Sequence, residues 1–263
     1  MGRAGYLSRM PLVETDAIVL HVFDYSETSR ILRLATRDAG LQSVLARGAR
    51  RSKSRFGSAL DLFAEGAAQL HLKDGRDLQT LSAFDVTRSR AELGEDMGRF
   101  AGASALAELV LRFSGADDVS VSLFDVLADA LDRVAMAQDD ETAEATLSGA
   151  WRLVGELGFA PTIDSCAACH APIAVVGDLP FSHTAGGVLC ERCARLYPGG
   201  RRLPREARQA IGEWAQGGRL ARVDPRATRA HQRLLREFLQ QHLADGRPLR
   251  AFDAWEQGSL VAR

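Results

Sequence analysis

The chain of 263 residues is 46% hydrophobic and 25% charged, with a formal net charge of −1, which excludes global disorder and leaves room for one large domain or two modest ones. No apolar run reaches the roughly 18 residues of a membrane-spanning helix, so no membrane partner is expected. The opening MGRAGYLSRMPLVETD lacks the apolar core of a signal peptide, and the cytoplasm is the expected compartment.

Residues 1–12 read as a leader. From Thr15 to about Arg88 the pattern is short and alternating. TDAIVLHVFDY is rich in β-branched and aromatic residues. SRILRLATRDAG sets Ile31, Arg33 and Ala35 against Leu32, Leu34 and Thr36, and stops at Asp38–Gly40. LQSVLARGA follows that turn. AAQLHLKDGRDLQTLSAFDV reads as two strands joined at Asp74–Gly75, because Asp-Gly between alternating runs is a hairpin signal. Five strands in about seventy residues predict a small closed barrel, in which closure removes vulnerable edges. The OB-fold is the commonest such barrel, and residues 13–85 are assigned to it.

Beyond Arg88 the period changes. Leu93, Met97, Phe100, Ser104, Ala107 and Leu111 recur at three or four, which predicts a helical core stripe. SVSLFDVLADALDRVAMA reads the same way, and ETAEATLSGAWRLVGELGF places Leu147, Trp151, Val154 and Leu157 on one face. RATRAHQRLLREFLQQHLADG groups Leu234, Leu235, Phe238, Leu239 and His242, and closes at Gly246. Residues 86–160 and 201–263, the latter with a C-terminal tail, are therefore read as two parts of a helical domain. The expected fold class is α+β in two domains.

Between the two parts lie all four cysteines, Cys166-Ala-Ala-Cys169 and Cys190-Glu-Arg-Cys193. Two C-x2-C knuckles separated by twenty residues have zinc-site spacing. Each short spacer turns both thiolates toward one ion, and two knuckles complete a tetrahedron. Four sulfurs leave no open coordination position, so a structural zinc is expected in a module at 161–200. The Gly186–Gly187 turn and short strands inside it could not build a core unaided, and metal binding supplies folding energy. His170 and His183 are the substitute ligands considered.

Charge is segregated along the chain. Between Arg30 and Arg55 stand Arg30, Arg33, Arg37, Arg47, Arg50, Arg51, Lys53 and Arg55 against Asp38 alone. Acids dominate from Glu92 to Glu144. From Arg201 to Arg236 ten arginines face Glu206, Glu213 and Asp224. Only Lys53 and Lys73 are lysines, so Arg abundance reflects a bias of the chain, and position carries the argument. RGARRSKSRFG, with Gly48 and Gly57 for turning and Ser52 and Ser54 as small hydroxyls, is the expected polyanion site. A second basic surface is expected at Arg201, Arg202, Arg205 and Arg208, at a helix opened by Pro204 in its first position. Phe23, Tyr25, Phe56, Phe63 and Phe84 are the aromatics of the strand half, most of them better placed for the barrel core than for base stacking.

Several stretches together resemble the RecO family of bacterial recombination mediators. The resemblance rests on Tyr25-Ser26-Glu27 with Ser29-Arg30-Ile31, on Arg37 through Gly40-Leu41, and on RGARRSKSRFG. ELGFAPTIDSCAAC and FSHTAGGVLCERC match the family's zinc segment in order and distance. It covers residues 13 to about 245. The resemblance implies an N-terminal OB-fold, a helical domain carrying zinc, and binding of single- and double-stranded DNA. It also implies annealing of complementary strands, work with RecR to help RecA displace single-strand DNA-binding protein, and a place at the nucleoid.

Annealing needs phosphate neutralisation and proximity rather than bond-making chemistry. The sequence carries no G-x-x-x-x-G-K, H-E-x-x-H or G-x-S-x-G motif, so no enzymatic activity is expected. The alternatives are an OB-fold RNA-binding factor, and a metal-dependent nuclease built on Asp117, Asp118 and Asp139 to Glu141.

Overall fold

The computed structural model describes residues 12–56, 59–115, 118–173, 177–218, 224–242 and 247–261. Its chain separates into two compact units, residues 1–90 with 114–124, and 91–113 with 125–263.

In the first unit, alternation becomes five strands: β1 (Leu12–Tyr25), β2 (Ser29–Thr36), β3 (Gly40–Ala46), β4 (Glu65–His71) and β5 (Gln79–Arg88). They form a closed barrel in the order β1-β2-β3-β5-β4, the OB-fold expected from the sequence. All neighbouring strands are antiparallel except β3 and β5. The β4–β5 hairpin turns at Asp74–Gly75, where Gly75 takes φ +72°, a conformation that a Cβ would disfavour. Leu32, Leu34, Val44, Leu70, Leu81 and Phe84 fill the interior together with Ala17, Val19 and Ala68.

One irregularity in β1 decides which side chains reach solvent. Val19 lies opposite Leu34 and His21 lies opposite Arg33, so the register shifts across Leu20. A residue inserted in this way reverses the facing of everything beyond it. Val22 therefore packs against the barrel core, while Phe23 and Tyr25 are 48% and 50% exposed. Phe56, Phe63 and Phe84 are buried, three of the five aromatics of which the sequence reading assigned most to the core.

The second unit holds α1 (Glu92–Glu95), α2 (Met97–Phe113), α4 (Thr142–Glu156), α5 (Glu191–Ala194), α6 (Arg205–Ala215), α7 (Pro225–His242) and α8 (Arg250–Val261). The remaining helix is α3 (Val121–Met136). Helix α2 packs on α4 and α8, and α4 packs on α6 and α7. Glu108 of α2 accepts the Ala251 and Phe252 N–H groups at 3.0 and 3.2 Å, which satisfies donors left free at the start of α8.

The expected stripe from Leu93 to Leu111 needs correction. Asp96 adopts an extended backbone and ends α1, and its carboxylate accepts the Arg99 N–H at 2.8 Å to open α2. That break separates Leu93, which is buried, from the other five stripe positions, which all lie on α2. Met97 is 81% exposed, and the buried face of α2 runs through Ala103, Leu106, Ala107, Leu109 and Val110. The α4 face holds at Leu147, Trp151 and Val154, which are buried, while Leu157 is the half-buried C-cap. The expected stop of α7 at Gly246 lies outside the described residues.

Candidate nucleic-acid interface and metal centre

The basic stretch connects β3 to β4. Gly48 turns at φ +73°, Arg51 N–H donates to the Gly48 carbonyl at 3.1 Å, and Arg50 N–H donates to the Thr28 carbonyl at 3.0 Å. The backbone is thus tied to the β1–β2 turn. Ala49, Phe56 and Leu60 belong to the barrel core, so the segment is not the core-free loop that its hydrophilicity implies. Its charges nevertheless face water: Arg47, Arg50, Arg51, Lys53 and Arg55 are all exposed. Arg55 lies over the Phe56 ring, 4.8 Å from its centroid. Ser52 is exposed, whereas the Ser54 hydroxyl oxygen accepts the Phe56 N–H at 3.2 Å. Gly57 lies outside the described residues.

The other predicted DNA-binding residues divide. Arg30 joins the loop, because both Arg30 and Arg50 approach Asp24 Oδ1, at 3.5 and 3.7 Å. Asp24 was not singled out by sequence reasoning, since a lone acid on a strand end carries no local signal. Arg33 sits on the outer face opposite His21 and Ser43; burial lowers its pKa, and its Nε is buried with no hydrogen-bond partner. Arg37 follows the last residue of β2, at the end of the strand away from Arg30. It lies over the Phe124 ring, 5.7 Å from the centroid, apart from Arg30 and Arg50 at Asp24.

In the second unit the four cysteines converge. Their sulfurs all lie within 4.8 Å of one another, and Cys169 and Cys190 are 3.9 Å apart. A tetrahedral ion with Zn–S bonds of about 2.3 Å sets its sulfurs about 3.8 Å apart, so the donor set fits a metal ion. All four thiols are free. Cys190 N–H donates to Cys166 Sγ and Cys193 N–H donates to Cys190 Sγ, each at 3.4 Å. Burial opposes ionisation of Cys166, yet the backbone N–H groups of Cys190, Cys169 and Ala168 outweigh it and hold its pKa at about 6. Cys193 is pushed up to about 12, first by Cys190 and then by burial. Thiols packed this closely cannot all ionise unaided, and a divalent cation removes that conflict.

The hydrophobic support is slight: Cys166, Leu189 and Cys193 are its buried members. A three-stranded sheet, β7 (Gly187–Val188), β6 (Leu179–Ser182) and β8 (Arg201–Leu203), frames the module in the order β7-β6-β8. Gly187 lies against Thr162, whose carbonyl oxygen would be 2.2 Å from any Cβ there. His170 is exposed, and His183 Nε2 lies 3.3 Å from Glu237. Neither belongs to the convergent group.

The second basic surface does not assemble as expected. Arg201 is ion-paired with Glu237, and Arg202 with Glu191 at 3.2 Å. Arg205 is exposed, but Arg208 is buried at 7% exposure and faces the helical core. Pro204 is the N-cap of α6, one residue before the helical position assigned from sequence.

Of the nuclease candidates, Asp118 accepts the Gly115 N–H at 2.8 Å. Asp139 lies 3.9 Å from Arg99, and Asp117 lies outside the described residues.

Comparison with known proteins agrees with this architecture. Residues 10–90 match the family model "Recombination protein O N terminal", and residues 94–251 match "Recombination protein O C terminal". The chain is 35% identical over 249 residues to a "DNA repair protein RecO" from Anaeromyxobacter sp. strain K, covering 92% of this chain and 95% of that protein. A protein of the same name from Nocardioides sp. is 31% identical over 240 residues, covering 89% and 96%. Another from Symbiobacterium thermophilum is 33% identical over 196 residues, covering 74% and 76%.

Proposed function

The chain belongs to the RecO family of recombination proteins, and from that premise we propose that it is a non-enzymatic mediator of DNA repair. It binds single- and double-stranded DNA, anneals complementary strands and assists RecA loading together with RecR on DNA coated by single-strand DNA-binding protein. It works in the bacterial cytoplasm at the nucleoid. One zinc ion, held by Cys166, Cys169, Cys190 and Cys193, secures the fold of the second unit; four thiolates suit zinc in its closed structural form.

The observation that carries this reading is the loop after β3. It is held by Ala49, Phe56 and Leu60 in the barrel core and presents Arg47, Arg50, Arg51, Lys53 and Arg55 to water. Like charges crowded on a fixed backbone repel one another in the free protein, and a polyanion relieves that repulsion. Arg guanidinium bonds two phosphate oxygens at once. Five contacts to single strands correspond to a log-log salt slope of about −3.5, at about 0.7 per phosphate.

The test is annealing of complementary DNA oligonucleotides with and without ATP, run beside RNA competitors. ATP-independent annealing that DNA competes for supports the mediator. Preference for RNA would favour an RNA-binding factor, and metal-dependent strand cleavage would favour a nuclease.

A further inference from the structure

We propose that His21 and Phe23, on the outer face of β1, form a stacking platform for the bases of single-stranded DNA. The inference rests on the DNA-binding reading above and adds to it a site that discriminates strand state.

The two rings already stack on each other, with centroids 4.1 Å apart and planes 29° apart. Phe23 is 48% exposed, and Tyr25 continues the row at 50%. Strict alternation from Ala17 and Val19 would have turned all three inward. The shift between Val19 and His21 turns them out, and bulges of this kind re-aim side chains toward ligands. Phe23 pairs with Ile31, and Ile31 pairs with Leu45, so a half-buried apolar floor extends across the sheet beside the ring.

Charge selects the occupant. His21 lies opposite Arg33, whose buried Nε lacks a hydrogen-bond partner. Arg30 and Arg50 gather at Asp24, whose side chain points to the other face of the sheet from Phe23, so of these cations Arg33 is the one that shares the face of the rings. Flat aromatic faces beside a cation match a base joined to a phosphate backbone. An apolar peptide would leave Arg33 unanswered. Burial and Arg33 keep the His21 pKa below its ordinary value, so its ring meets a base in the neutral form at physiological pH. Duplex bases are already stacked on one another and cannot use the platform, whereas unpaired bases can.

The experiment compares wild type with Phe23→Ala and Phe23→Trp on three ligands of equal length: oligo-dT, an abasic sugar–phosphate strand and a duplex. Phe23→Ala should weaken oligo-dT binding about tenfold, the worth of one stacked base. Its salt slope should be unchanged because no phosphate contact is lost. Abasic and duplex binding should stay within about twofold, since phosphate contacts dominate both. Phe23→Trp should bind oligo-dT at least as tightly as wild type. Circular dichroism verifies each fold, and quenching of 2-aminopurine in an oligonucleotide bound by wild type reads stacking without any substitution. Unquenched 2-aminopurine, undiminished oligo-dT binding by Phe23→Ala, or an equal loss on duplex would overturn the platform alone. Wild type that binds none of the three ligands would overturn the DNA-binding reading as well.

Discussion

Asp24 and Arg50 form an ion pair at the mouth of the barrel, with Oδ1 3.7 Å from Nε, and the same oxygen lies 3.5 Å from Arg30 Nε. One carboxylate thus holds two of the cations assigned to DNA. Exposed pairs of this kind contribute only about 0.2–1 kcal/mol, so Asp24→Asn should leave the fold intact. It should tighten DNA binding about threefold at low salt by releasing both arginines, and the gain should shrink as salt screens the charges. Anisotropy titrations across a salt series would show this. Unchanged affinity at every salt would place Arg30 and Arg50 away from the DNA path.

Neutralising Arg50, Arg51 and Lys53 together should weaken DNA binding and annealing alike for all sequences, because backbone contacts position without reading bases. The single-strand salt slope should shrink by about two units, at about 0.7 per lost contact. Folding should persist, since these side chains are exposed. Phe56→Ala is the contrasting variant. It removes a ring that is 3% exposed, and denaturant unfolding should register a loss of about 3–5 kcal/mol.

The cysteine cluster predicts one zinc per chain in metal analysis of the freshly purified protein. Cys190→Ser should abolish stoichiometric zinc and expose the amides of residues 163–198 to hydrogen exchange, while barrel amides keep their protection. Cys190 does double duty, because its sulfur also accepts the Cys193 N–H that opens α5. Retention of full protection in a metal-free protein would refute the structural role of the ion.

Acid should destabilise the second unit through His231. Its ring is buried edge-on to Trp214, with centroids 4.7 Å apart, its Nδ1 has no hydrogen-bond partner, and burial lowers its pKa to about 4. The unfolded chain takes up this proton near the ordinary value of about 6.5. Folding stability is therefore complete above that pH and falls as the pH drops from about 6.5 toward 4, by as much as ~3 kcal/mol for this one group. His231→Gln should flatten that part of the stability–pH curve. An unaltered slope in the variant would assign the acid sensitivity elsewhere.

Features with a local cause were legible in the sequence. Asp74–Gly75 marks its own turn, and the two cysteine knuckles carry their metal geometry within four residues each. Features that depend on distant partners were not. The outward turn of Phe23 follows from how Val19 and His21 pair with β2, and no property of TDAIVLHVFDY announces it. The α2 stripe failed because the face that packs on α4 and α8 runs through Ala103, Leu106 and Val110 rather than through Met97 and Phe100. Arg201 appeared as free charge because its counterion, Glu237, stands on α7 far along the chain. Arg208 looked equivalent to Arg205, yet only packing could say which of the two faces inward.

The barrel closes unevenly. β1 and β4 pair continuously from Leu12–His71 to Ile18–Glu65, whereas β3 meets β5 only at Val44–Gln79 and Leu45–Thr80. That short parallel contact is the seam where the cylinder opens at least cost, and its amides should exchange first. The segment that leaves β3 just beyond it is the cationic loop, and Arg55 Nη2 reaches across to the Leu81 carbonyl of β5 at 3.4 Å. On the proposed DNA-binding reading, mechanical weakness and ligand contact occupy one place. A bound phosphate chain that immobilised the loop would also clasp the seam, and the breathing of the barrel would then become a direct readout of whether DNA is held.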